Sequence, residues 1–182
     1  MKVQYNWSLV LFALIPLCIS NARASDNRVE FIGEYSHIES ATGEHCTGYS
    51  VTLWKYKDSL AGFLYHHRGL CGDPPMGILE GTTYSVSTGS LSFNVKLSDG
   101  SIFQAGREVP TKDKVTFKGK LHGQMLEGVV SWYWEGNTQS IRSENVTLKA
   151  ENPKNSPHRS FDNYDEWMKY WGPILKLRGP RW

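Results

Sequence analysis

The chain has 182 residues, with 20 basic and 18 acidic side chains and six histidines. Residues 1–24 read as a leader, and removing them takes Lys2 and Arg23 but no acid. That leaves 18 basic against 18 acidic residues and no net charge at pH 7 with the histidines neutral. Such a balance excludes general nucleic-acid binding, which needs surplus Lys and Arg to neutralise phosphates, and the remaining length suits one domain.

From the N-terminus, Lys2 supplies a positive start and Trp7 to Ile19 is an uncharged apolar run. Ala22-Arg23-Ala24 then offers a small-x-small cleavage site, with Ser25 as the mature start. A run of about 13 residues falls short of the roughly 20 that span a bilayer, so no transmembrane anchor is expected after cleavage. The alternative is a lipoprotein built on Cys18, but Ile15-Pro16-Leu17 lacks the small residues that lipidation wants before the cysteine. The expected location is periplasmic or secreted.

The mature chain keeps two cysteines, Cys46 and Cys71, and in an oxidising compartment a lone pair forms a disulfide. The competing reading is a metal site with His45, His66 and His67. Structural zinc sites show short paired spacings that are missing here, so no metal and no cofactor is expected.

Period-two alternation bounded by Gly, Asp and Ser turns dominates residues 25–150. The expected strands are 29–37, 51–56, 60–67, 78–86, 91–97, 115–121, 124–134 and 141–149. In Leu91 to Leu97 every odd position is apolar, and in 115–121 the apolar set is Val115, Phe117 and Leu121. Turns at Lys57-Asp58-Ser59, Ser87-Thr88-Gly89 and His122-Gly123 favour antiparallel neighbours. About eight strands in sequential order predict an up-and-down antiparallel barrel, the alternative being a β-sandwich. Glycines 33, 62, 81, 119 and 128 fall inside these patterns, where bulges and bends serve closure.

A polar linker (151–160) precedes a C-terminal segment (161–182). There Phe161, Tyr164, Trp167 or Met168, and Trp171 recur at helical spacing, with Asp162, Asp165 and Glu166 early and Gly172-Pro173 as the expected stop. The aromatic stripe is expected on the barrel wall or over its mouth, with a membrane surface or partner groove as alternatives.

The order of elements resembles the calycin-like β-barrels (lipocalins, avidins and their small exported bacterial relatives). The likeness rests on Phe31-Ile32-Gly33-Glu34-Tyr35, the three turned hairpins and Phe117-Lys118-Gly119-Lys120-Leu121. It implies a barrel followed by a helix, although Tyr35 stands where lipocalins usually carry Trp. The stretch 53–81 is also similar to small exported bacterial proteins without an assigned activity.

Strand phase puts Tyr35 and His37, Glu80 and Tyr84, and Trp132 and Trp134 on inward faces, the aromatic walls and few polar groups that ligand pockets show. A bulge would turn Glu80 outward. No G-x-S-x-G motif and no free thiol is present, so no catalytic residue is expected. The histidines read as scattered surface or rim residues, His66 and His67 facing opposite ways. The leading expectation is a non-enzymatic exported protein holding a small, partly apolar ligand. The alternative is an envelope protein-interaction module using the Cys71–Met76 loop (Pro74, Pro75) and the C-terminal helix (Trp167, Trp171).

Overall fold

The computed structural model describes residues 27–40, 43–152 and 158–182. The expected leader with its cleavage site and part of the expected linker lie outside them. Eleven strands and one helix occur among the described residues. They are β1 (Val29–Ser40), β2 (His45–Tyr56), β3 (Ser59–Leu70), β4 (Met76–Ile78), β5 (Glu80–Tyr84), β6 (Ser90–Leu97), β7 (Ser101–Gln104), β8 (Arg107–Pro110), β9 (Asp113–His122), β10 (Met125–Trp134), β11 (Arg142–Ala150) and α1 (Tyr164–Arg178).

Nine strands make one antiparallel sheet in the order β4-β3-β2-β1-β11-β10-β9-β6-β5, and β7 and β8 form a separate ribbon. The two ends of that order are successive parts of one segment. Residues 76–78 pair with β3, and past Leu79 the chain pairs with β6. The Leu79 N–H donates to the Gly62 carbonyl at 3.0 Å. Gly77 lies so close to β6 that a Cβ would sit 2.2 Å from the Lys96 carbonyl oxygen. The sheet therefore curls into a nearly closed barrel, the mainly β architecture with a C-terminal helix that the sequence predicts. All eight expected strands have a counterpart, the one expected at 78–86 being β5, while β4 is a separate short strand that overlaps it at Ile78 alone.

The alternating strands bury what alternation says they must. Leu91, Phe93, Val95 and Leu97 of β6 and Val115, Phe117 and Leu121 of β9 are all buried in the interior, where the Phe93 and Phe117 rings stack 4.9 Å apart. Gly119 and Gly128 face each other across β9 and β10, and a Cβ on either would fall within 2.8 Å of the Phe117 ring. The ring thus lies over the glycine pair.

Alternation fails in β2, where Tyr49 to Trp54 are all buried, because both faces are covered. The outer wall carries a second core of Val29, Trp54, Phe63 and Met76 beneath Phe161, Trp167 and Trp171. The aromatic stripe packs on the wall, with Phe63 stacked on Trp167 at 5.1 Å and Trp54 edge-on to both tryptophans of α1. Asn163 caps the helix, its side chain accepting from the Glu166 N–H, and Asp165 and Glu166 fill the first turn.

Two expectations need correction. Phe161 precedes the helix and bridges Val29. Gly172-Pro173 does not stop α1, which runs on to Arg178. Pro173 lies on the exposed side of the helix, so the carbonyl it strips of a partner can meet water. Meanwhile Ile174 and Leu175 continue the packed stripe. The β7–β8 ribbon was not foreseen: its residues are mostly exposed on both faces, so no alternation marks it. Its turn has positive φ at Ala105 (51°) and Gly106 (77°).

Candidate functional site

The junction of β1 with β11 is a weak seam of the barrel. Among the described residues β1 pairs with β2 along its whole length, but with β11 at just Tyr35–Ala150 and Ser36–Lys149, the Glu151 N–H to Glu34 carbonyl bond extending that short ladder. Toward the disulfide end the two strands part. A cleft of about 530 Å³ opens between His37 and Glu39 of β1 and Arg142 to Leu148 of β11, with Tyr49, His66 and Arg68 behind it.

A polar network, buried at Tyr49 and Trp132 and open to water at Arg142 and Glu144, forms the cleft floor. Tyr49 and His66 are direct partners across β2 and β3, and their rings stack at 4.9 Å. Trp132 closes on His66 at 4.7 Å. The Tyr49 hydroxyl donates to Glu144 and accepts from Trp132 Nε1 and from Arg142 Nη2, each at 2.9 Å. Arg142 also donates to Glu144 at 2.7 Å and lies over the Trp132 ring. Burial first, then the bond to Glu144, pushes the Tyr49 hydroxyl up to about 12. Behind this network, His66 Nδ1 stands 3.0 Å from the Asp99 carboxylate, near enough for an ion pair but out of line for a hydrogen bond. His67 points the other way and meets the Ser50 hydroxyl at 3.0 Å. Its pKa is held below 6.5 by burial and then by the neighbouring His66.

The expected ligand set divides. Tyr35 and Trp132 are buried in the interior and Tyr84 is half-buried against the same core. Burial, then proximity to Tyr84, raises the Tyr35 hydroxyl's pKa. Tyr35 and Tyr84 belong to the packed core, whereas Trp132 joins the cleft floor. Glu80 faces outward, 3.9 Å from Lys96, because the register breaks between Glu80 and Thr83 at Gly81 (φ 58°). That bulge sends Leu79 inward instead, and Val86 is exposed. Trp134 has the inward phase but stands beyond the rim, 60% exposed. His37 lines the cleft, paired with Glu39 at 3.3 Å.

The histidines at 66 and 67 are buried, contrary to the surface placement expected for them, since β3 is covered on both faces. Tyr49, Asp99, Arg142 and Glu144 were not singled out from the sequence. A signal existed: the inward positions of β11 run Arg142, Glu144, Val146, Leu148, charged at one end and apolar at the other, as a strand leaving a core for its mouth should.

Cys46 and Cys71 are joined in a disulfide at this end of the barrel. Pro74 and Pro75 line a second recess of about 470 Å³ beside β7–β8 and the C-terminal residues. Arg178 pairs there with Asp73 at 2.8 Å, and the Trp182 indole N–H donates to the Leu97 carbonyl at 2.9 Å. Trp167 and Trp171 are buried under α1 and so are closed to a partner while the helix is docked. Among the described residues, no three His, Cys, Asp or Glu side chains are placed to share a metal ion. No helix there is long and apolar enough to cross a membrane. No protein family, no curated protein and no solved structure matches the chain.

Proposed function

We propose that the chain is an exported, non-enzymatic binding protein that holds a small, partly apolar ligand at the open seam between β1 and β11. The observation that carries this reading is the parting of those strands after two residue pairs, over a cleft with apolar Val146 and Leu148 beside a fixed polar floor. The site thus moves from the barrel axis, as read from strand phase, to its side. Binding is favoured over catalysis because the Tyr49 hydroxyl is spent on three partners and its raised pKa opposes service as a base. The leader pattern and the Cys46–Cys71 disulfide support export to a periplasmic or extracellular space. The element order supports the likeness to calycin-like barrels.

Native mass spectrometry of protein purified from its own envelope tests the reading. A mass excess that is lost on mild denaturation is expected, absent from Val146→Trp, which fills the cleft, and retained in Glu80→Gln. An excess kept by Val146→Trp would place the ligand elsewhere.

A second reading has its own support. Leu177 (75%) lines the recess of Pro74 and Pro75, and Ile102 (51%) and Phe103 (80%) follow its lining residue Ser101 on β7, all large apolar side chains left in water. They favour an envelope protein partner at the Cys71–Met76 loop. Phe103→Ser leaving recovery of every co-purifying protein unchanged would dismiss it.

A further inference from the structure

We infer that the ligand of the seam is a short extended polypeptide segment, added as a strand along β11; this rests on the seam being the binding site. The ladder phase supplies the reason. Even-numbered residues of β11 turn their backbone toward β10, as the Ala150 N–H does to the Gln124 carbonyl at 2.8 Å. Odd-numbered ones turn toward β1, as the Glu151 N–H does to the Glu34 carbonyl at 2.8 Å. The pairing of β11 with β1 ends at Lys149. Asn145 and Thr147, both in the cleft lining, therefore aim their N–H and C=O groups into it; Ser143 continues the same edge, and Ile38 and Ser40 hold the matching phase on β1.

The chemistry that satisfies such an edge must offer donors and acceptors repeating every two residues, about 6.8 Å apart, which is a polypeptide backbone. From Ser143 to Thr147 the edge accommodates about five residues of extended chain, roughly 17 Å. Proteins blunt exposed edges with charges or proline, and β8 carries Arg107, Glu108 and Pro110. The seam-facing residues of β11 carry neither. Their side chains are short and uncharged, so the segment they fit has uncharged outward residues. Its inward residues would lie over Glu144 and Val146, and Val146 favours an apolar side chain at its position.

The probe is the peptide Ac-TVTVT-NH2, offered to the full disulfide-bonded chain, alongside the same peptide N-methylated at alternate residues. Amide hydrogen exchange is expected to slow at Ser143, Asn145 and Thr147 with the first peptide. The methylated form, which cannot complete the ladder, should bind at least tenfold more weakly. Asn145→Pro removes a seam-facing N–H while sparing the β10 ladder, and should weaken binding similarly. The methylated comparison keeps the test decisive should that variant not fold. No protection at millimolar peptide, or equal binding of both peptides, overturns the strand. If Val146→Trp still abolishes the native mass excess, only the strand fails and the seam stands. Protection of the three amides without peptide, together with a dimeric mass by light scattering, overturns it in favour of a second copy of the chain.

Discussion

The two sides of β1 and β2 are held very differently. On the outer wall, aromatic rings close over one another from four elements, and Trp54, Phe63 and Trp167 are fully buried. At the seam, two residue pairs join β1 to β11, and a network of polar side chains stands in for the missing ladder. Ring-on-ring packing gains from every atom placed, whereas a polar network is only as good as its least satisfied member. The wall should therefore carry the stability and the seam the adaptability.

The comparison breaks most severely at the wall. Trp167→Ala empties the space between Phe63 and Trp54 and should cost about 3–5 kcal/mol in denaturant titration, with α1 undocked. Loss of under 1 kcal/mol would show that the helix merely rests on the barrel. Replacing both cysteines by serine frees a 25-residue separation and should cost about 3 kcal/mol.

At the seam, Tyr49→Phe leaves the buried Trp132 indole N–H and the Arg142–Glu144 pair without the shared hydroxyl, a loss of about 1–3 kcal/mol. Spectrophotometric titration should also lose one phenol that ionises near pH 12. In the wild type that group's raised pKa stabilises the fold below its ordinary value of 10, and the contribution vanishes as pH climbs from 10 through 12.

The His67 effect has the opposite sign. Its lowered pKa means stability present above pH 6.5 and lost as pH falls through the lower folded value. Acid unfolding of His67→Gln should accordingly begin at lower pH than that of the parent. The smallest effect belongs to Glu80→Gln, about 0–0.5 kcal/mol, since its contact with Lys96 is exposed and long.

Legibility followed the same division. Strands with one wet face, such as β6 and β9, announced their inward residues without error. β2 and β3 hid theirs, because α1 covers the outer face at Trp54 and Phe63 and erases alternation; His66 is buried instead by Tyr49 and Trp132, and His67 against Ser50. Phase gives the face of a residue but not its height along the barrel, so Trp132 and Trp134 looked equivalent although one is packed and the other stands clear. The bulge at Gly81 reversed Glu80, since a single residue of slip exchanges the faces. The cleft itself arises between the first and last strands of the barrel, a tertiary relation that no local pattern carries.

That separation also sets an order of events. Cys46 on β2 and Cys71 just past the end of β3 close one hairpin, 25 positions apart, while Ser36 must find Glu151 across 115. Chain-closure entropy rises with that distance. The β2–β3 hairpin belongs among the first structures to form as the chain folds, and the seam among the last. Substitutions in the hairpin should then slow folding, whereas those at the seam should leave the folding rate alone and speed unfolding.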